Sequence, residues 1–419
     1  MKAAALTATI AFIAAAVLVS CACGVDGDSS ELRTVLIVLL ARNKAHTLPH
    51  FLAMLDGLDY PRDKLRLWIR SDHNRDATPA LLRTWLADVA DDYDSVNVAI
   101  DELDGGDEGG GDPIAWTPER YARVIRLKEE ALNAARSDDG VDLVWFLDGD
   151  AFVADPATLK HLLERGHPIS APLLTSTGPY SNFWAGMSPS HYYLRTPEYM
   201  PILERKRHKR GCFQVPMVHS SVLVDLDAEG VGGLTFDPAK LEGFGAGVPD
   251  DDIIAFALSA KSAGVPMHIC NEEKFGYIMT PLEDGEDLAD DYGRLSDLRL
   301  QMIADRGPVP IRGDMEGARL PKLPKEKNET LGADRVYLIN LRRRPDRRLK
   351  MEECFRELGV EYQLVEAVDG RNMTDDSVHR DGLRVLPGYV EPYSKREALT
   401  FGEIGCFLSH HKVRTEKPF

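Results

Sequence analysis

"LVWFLDGDAFV", Leu143 to Val153, decides the fold. Leu143 to Leu147 are continuously apolar, and the run ends on Asp148 and Asp150 with only Gly149 between them. A short apolar run bounded by a turn is how a strand buried on both faces of a parallel sheet reads. Two carboxylates directly after it sit at the strand's carboxyl end, the edge at which open α/β sheets bind ligands.

Working outward, the same pattern recurs. "TVLIVLLARNK" carries an apolar run from Val35 to Leu40 and then the polar group Ala41, Arg42, Asn43. "LRLWIR" (Leu65–Arg70) predicts a second strand, followed by Ser71 and Asp72, and "VNVAI" (Val96–Ile100) a third. Helical spacing separates them, in "FLAMLDGL", in "ALLRTWLADVADDY" opened by Thr78-Pro79, and in "PERYARVIRLKEEALNAARS". Strands alternating with helices predict a parallel α/β sheet with right-handed crossovers. The polar ends "ARNK", "SDHNRDAT" and "DGD" then cluster at one sheet edge. "DGGDEGGGDP" reads as a flexible acidic loop.

The chain of 419 residues is 44% apolar, enough for two domains, and carries a formal net charge of -17. That charge repels a phosphate backbone and excludes nucleic acid as the expected partner, but not a nucleotide-sugar, which needs only a local site. "MKAAALTATIAFIAAAVLVSCACG" (1–24) reads as a signal peptide for the secretory pathway, with an anchor or lipoprotein as the alternative. Its apolar run is short and alanine-rich, so no stable membrane span is expected. Cys212, Cys270, Cys354 and Cys406 are widely spaced without CxxC, a spacing that does not predict a zinc site. Cys212 and Cys270 are the first candidates for a disulfide because they share a domain. Asn328 and Asn372 head glycosylation sequons.

Asp148 and Asp150 can approach one hard cation together. Mg²⁺ and Mn²⁺ prefer oxygen donors and are often shared with a diphosphate, whose departure the metal eases. The plainer alternative is a solvated acidic turn. "VPDDDIIAFALSAKSAGV" places Asp250, Asp251 and Asp252 at a helix start; Asp251 or Asp252 is the candidate general base, against simple stabilisation by the helix dipole. The basic run Arg205–Gly211 reads as a solvated face. His219 and His268 lie in apolar strands and read as core histidines. "GFGAG" (243–247) lacks dinucleotide-binding spacing.

From 281 to 333 the patterning fades into a linker, although "LEDGEDLADDYGRLSDLRLQMIADRG" is compatible with a helix. It restarts with strand "VYLINL", helix "PDRRLKMEECFRELG" and strand "YQLVEAVDG". A first domain therefore spans 30–280 and a second, short one 334–419.

Several stretches resemble glycosyltransferase family 25, the procollagen galactosyltransferase family: "LLARNKAHTLPHFL", "YSNFWAGMS", "YYLRTPEYMPI", "RGCFQVPMVHS", "DDIIAFALS", and further on "INLRRRPDRR", "LVEAVDG" and "LTFGEIGCFLSH". The resemblance implies a GT-A-type, Rossmann-like nucleotide-sugar domain followed by a second, incomplete GT-A-like domain. It implies transfer of galactose from UDP-galactose to hydroxylysine of a collagen acceptor, inverting and Mn²⁺-dependent, in the endoplasmic reticulum. Asp148 and Asp150 become metal and UDP ligands; Ala41, Arg42, Asn43, Ser71 and Asp72 fall where such folds hold the nucleotide; Asn182 and Trp184 are candidates for the sugar or acceptor side. A homodimer is also open. The departure is after Lys412, where "VRTEKPF" replaces the family's further acidic motif and retention tail. That predicts a truncated second domain, and makes an inactive binding or adhesion relative the alternative.

Overall fold

The computed structural model describes residues 32–100, 116–241, 247–283, 285–315, 330, 332–380, 382–384, 390 and 399–416. The signal-like segment, the acidic loop 104–113, residues 243–246 of "GFGAG" and Asn328 lie outside the described residues.

The expected strands are present as β1 (Val35–Leu40), β2 (Leu65–Ser71), β3 (Ser95–Ile100) and β4 (Leu143–Asp148). They pair in parallel, β1 with both β2 and β4, and β2 with β3. Side chains alternate between two cores. Val35, Ile37 and Leu39 enter one, with Leu143, Trp145 and Leu147 of β4. Leu36, Val38, Val144 and Phe146 enter the other. Both faces are covered, which is why these runs are unbroken apolar. Each such side chain contributes about 1.5–3 kcal/mol on leaving water.

One core is roofed by helices α1 (Leu48–Asp56) and α2 (Thr78–Val89), through Leu48, Phe51, Leu52, Leu82 and Trp85. The other is roofed by α3 (Pro118–Arg136), whose Thr117 cap accepts from Arg120 N. Past β4 the chain adds β5 (Ala151–Val153), α4 (Thr158–Arg165), β6 (Ile169–Pro172), β7 (Leu174–Thr175), β8 (Phe183–Trp184), α5 (Tyr199–Leu203), β9 (Cys212–Val215), β10 (Met217–Val218), β11 (Ser221–Asp225), α6 (Asp252–Ala263), β12 (Met267–Cys270) and β13 (Gly276–Ile278). The main sheet runs β3-β2-β1-β4-β11-β6-β12-β9. It is mixed rather than wholly parallel, because β11 lies antiparallel between β4 and β6 and β9 antiparallel at the edge. The chain reverses between β10 and β11 at Ser220, whose φ of 62° is a left-handed conformation that costs a non-glycine residue energy. Gly276 lets β13 approach β5; a Cβ there would lie 2.0 Å from the Phe152 carbonyl oxygen.

The expected linker needs correction. Its first part is helix α7 (Leu288–Arg306), and Leu295, Leu298 and Met302 bury into the same core as α1 and α2. A solvated stretch would not carry apolar residues at this helical spacing. The expected disulfide joins Cys212 and Cys270. Beyond residue 332, β14 (Tyr337–Asn340) and β15 (Gln363–Glu366) pair in parallel around α8 (Pro345–Leu358), followed by α9 (Asp375–Arg380) and α10 (Phe401–Glu416). Asn372 is exposed.

Candidate functional site

Leu40 of β1 is in register with Arg70 of β2 and with Asp148 of β4, so three carboxyl ends lie in one row. Above that row opens a cleft of about 410 Å³. It is lined by Ala41, Arg42, Asn43, Asp72, Asp148, Asp150, Asp251 and Asp252, residues drawn from four separate stretches of sequence. The loops after β1 and β2 are clamped to each other: Asn43 N donates to Asn74 Oδ1, and Arg75 N donates to Asn43 Oδ1. Asn43 itself adopts a left-handed φ of 53°.

Asp148 ends β4, and its N–H donates to the Ser220 carbonyl at 2.8 Å. Burial alone would raise its carboxyl pKa. The Lys128 ammonium, the Ser220 hydroxyl, His219 and Lys44 outweigh burial and hold it below the usual carboxylate range. Asp150 is ion-paired with Lys44. Burial would lower the Lys44 ammonium, but Asp150, Asp291 and Asp148 keep it raised. His219 also lines the cleft, its Nδ1 2.9 Å from Ser220 Oγ; burial drives its pKa down to about 4, so the ring is neutral at pH 7. It is thus a cleft-wall residue rather than a purely core histidine.

The start of α6 divides its two carboxylates between different tasks. Asp251 caps the helix, its Oδ1 accepting from Ile253 N and Ile254 N at 2.9 Å each. Burial pushes its pKa up, against those two hydrogen bonds. Asp252, 3% exposed, is held by Lys128 Nζ at 2.6 Å. On the rim contributed by α7, Asp291 pairs with His46 Nε2 at 2.9 Å. Burial would raise Asp291, but His46 and Lys44 hold it below the usual range. Arg123 of α3 pairs with Asp72 at 2.8 Å. Asp148 and Asp150 offer hard anionic oxygens from one turn, a donor set that fits Mg²⁺ or Mn²⁺.

Three candidates are not brought to the cleft lining. Ser71 is buried and its hydroxyl accepts from Asn74 Nδ2 at 2.9 Å. Asn182 is wholly buried: its Oδ1 accepts from Leu174 N, and its Nδ2 donates to the Pro172 carbonyl. Its amide splices β7 to the chain rather than facing a sugar. Trp184 packs on Tyr193 with ring centroids 5.6 Å apart. Lys44, Lys128, Ser220 and Asp291 were not singled out from sequence. For Lys128 a signal was there: it lies three residues after Ile125 and four before Leu132, on the buried stripe of α3. A lysine on an apolar stripe needs a buried anion.

Residues 32–299 match the family described as glycosyltransferase family 25, N-terminal domain, and residues 333–416 match glycosyltransferase family 25 (LPS biosynthesis protein). A Drosophila pseudoobscura pseudoobscura protein named glycosyltransferase 25 family member is 44% identical over 411 residues, covering 94% of this chain and 64% of its own length. Human inactive glycosyltransferase 25 family member 3 is 41% identical over 92% of this chain and 63% of its own. Human procollagen galactosyltransferase 2 is 41% identical over 91% of this chain and 59% of its own. The chain thus spans less than two thirds of the length of these relatives. Among solved structures, a Pyrobaculum calidifontis mannosyltransferase with GDP-mannose and Mn²⁺ is similar at 18% identity, with a TM-score of 0.34 and coverage of 67% of this chain and 66% of that one. By the two matched regions and by these sequence relatives, the chain belongs to glycosyltransferase family 25.

Proposed function

We propose that this cleft transfers a hexose from a UDP-sugar to a hydroxyl group on a polypeptide, with galactose as the sugar and collagen hydroxylysine as the acceptor. One observation carries the reading: the carboxylates ending β4 and those starting α6 meet in a single cleft at the carboxyl edge of the sheet. Ala41, Arg42, Asn43 and Asp72 form the nucleotide side, across the clamped loops. Asp148 and Asp150 would hold Mn²⁺, which neutralises charge on the departing diphosphate when bound. Ser220, through its hydroxyl and its strained backbone, fixes the Asp148 carboxylate in orientation. Lys128 holds Asp252 in place. Asp251, whose buried carboxyl binds a proton more readily than an ordinary aspartate, takes the proton from the attacking hydroxyl. Attack from the side opposite the diphosphate inverts the sugar carbon. The Cys212–Cys270 disulfide and the exposed Asn372 sequon support residence in the lumen of the endoplasmic reticulum.

A second reading is a binding protein that keeps the fold without turnover. It is favoured by the lysine pairing of Asp150 and Asp252 and by an inactive human relative as similar as the galactosyltransferase one. Release of UDP from a panel of UDP-sugars, with deglycosylated collagen as acceptor and Mn²⁺ present, separates the two. UDP-galactose-specific release supports transfer. Metal-independent collagen binding without release, in this chain and in one extended to the relatives' length, overturns it.

A further inference from the structure

A second cluster of metal-ligating side chains lies at the far edge of the main sheet, remote in sequence from the acidic pair. Cys212 of the edge strand β9 is in register with Cys270 of β12, and the two are joined by the disulfide. One ring nitrogen of His167 and both sulfur atoms lie within 4.8 Å of one another. Beside them, the Glu272 carboxylate oxygens are 3.6 and 3.7 Å from Cys212 Sγ, but Oε1 is ion-paired with Arg165 Nε at 3.0 Å. His268 stacks flat on His167, with centroids 3.8 Å apart, and fixes the plane of that ring. The spacing of these cysteines in the sequence does not suggest a zinc site, but the sheet register brings two cysteines 58 positions apart side by side.

We propose that Cys212, Cys270 and His167 form a redox-gated three-donor site for a thiophilic divalent cation of the Zn²⁺ class, with water as the fourth ligand. In the disulfide state the sulfurs are bonded to each other and do not act as ligands. A dithiol reductant passes two electrons to the disulfide: the S–S bond breaks, two cysteine thiols form, and the reductant becomes a cyclic disulfide. Cation binding then releases the two thiol protons to solvent, because the thiolate is the ligand. The thiols stay opposed after reduction, since β9 remains hydrogen-bonded to β12 and Asn271 N still donates to the Gly211 carbonyl. Two sulfurs and one imidazole are three donors of a tetrahedral zinc site, whose metal–ligand bonds of about 2.0–2.3 Å suit atoms that lie within 4.8 Å of one another. The position on an edge strand gives the cation a way in.

The test uses the full chain with Cys21, Cys23, Cys354 and Cys406 replaced by serine, oxidised or reduced by a dithiol that is then removed. Zn²⁺ alone is titrated in competition with a chromophoric chelator, and Co²⁺ absorption reports thiolate ligation. The expected result is one Zn²⁺ bound more tightly in the reduced form than in the oxidised form. His167→Ala keeps the disulfide and folds oxidised; after reduction its Zn²⁺ affinity falls about 10–100-fold or more. Cys212→Ser abolishes the Co²⁺–thiolate signature of the pair. Equal uptake in both redox states, or reduced-state affinity unchanged by His167→Ala, overturns the proposal.

Discussion

Lys128 Nζ lies 2.6 Å from Asp252 Oδ2, tying the middle of α3 to the first turn of α6. Both side chains are almost fully buried, and Lys128 also faces Asp148 and Asp251 electrostatically. One ammonium therefore serves three carboxylates from two parts of the cleft. Removing it leaves buried negative charge uncompensated. Lys128→Met should destabilise the chain by about 3–5 kcal/mol, the usual cost of breaking a buried ion pair on one side. The double variant Lys128→Met/Asp252→Leu should recover much of that loss. Denaturant unfolding of the single and double variants checks this, and a loss below about 1 kcal/mol in Lys128→Met would show that water already screens the pair.

Asp148→Asn and Asp150→Asn should each abolish Mn²⁺-dependent UDP binding while the chain still folds, with some loss of thermal stability in Asp150→Asn, which removes the ion-pair partner of Lys44. The Asp148 backbone contact to Ser220 survives the substitution. Calorimetric titration of UDP with and without Mn²⁺ decides it. Unchanged affinity in both variants would make the pair a lysine-neutralised turn and move metal binding elsewhere.

The sequence carried the sheet and the cleft edge but not the cleft's cations. Strands buried on both faces leave a continuous apolar signature, so β1, β2 and β4 and their polar ends were legible. The antiparallel β11 was hidden, because a buried strand reads the same in either direction. Asn182 became a candidate through the family resemblance of "YSNFWAGMS", but a buried amide that satisfies two backbone groups looks identical in sequence. The part played by α7 was obscured by its acidic first turn, Asp287 to Asp291, which serves as a capping box and leaves the apolar stripe until Leu295.

His50 supplies an acid-sensitive element away from the carboxylates. Its Nδ1 lies 2.7 Å from the Pro310 carbonyl oxygen, and burial together with Arg299 lowers its pKa to about 4. The unfolded chain takes up this proton near the ordinary histidine value, about 6.5, while the folded chain resists until about 4. The contribution to stability is therefore complete above pH 6.5 and lost as pH falls toward 4, by up to roughly 3 kcal/mol. His50→Gln should flatten stability against pH in that window without altering the carboxylate-driven loss below it. An identical slope between pH 6.5 and 4 in the variant would show that other groups carry the effect.

The two roles given to Asp251, helix cap and general base, come apart by substitution. Asparagine caps a helix about as well as aspartate, because its side-chain oxygen still accepts from the next backbone N–H groups. Asp251→Asn should thus retain stability while losing the proton acceptor. Alanine removes both functions, so Asp251→Ala should in addition cost about 1 kcal/mol of stability. Loss of a general base costs about 10²–10⁴-fold in rate, and that drop is expected for Asp251→Asn in a chain extended to the relatives' length and shown to be active. UDP-sugar affinity should change little, since the cap geometry and the acidic pair of β4 persist. Asp252→Asn should behave differently: it strands the buried Lys128 ammonium, so unfolding shifts along with turnover. Stability, donor affinity and turnover measured on all three variants separate the roles. Full turnover in Asp251→Asn would reduce that carboxylate to a cap.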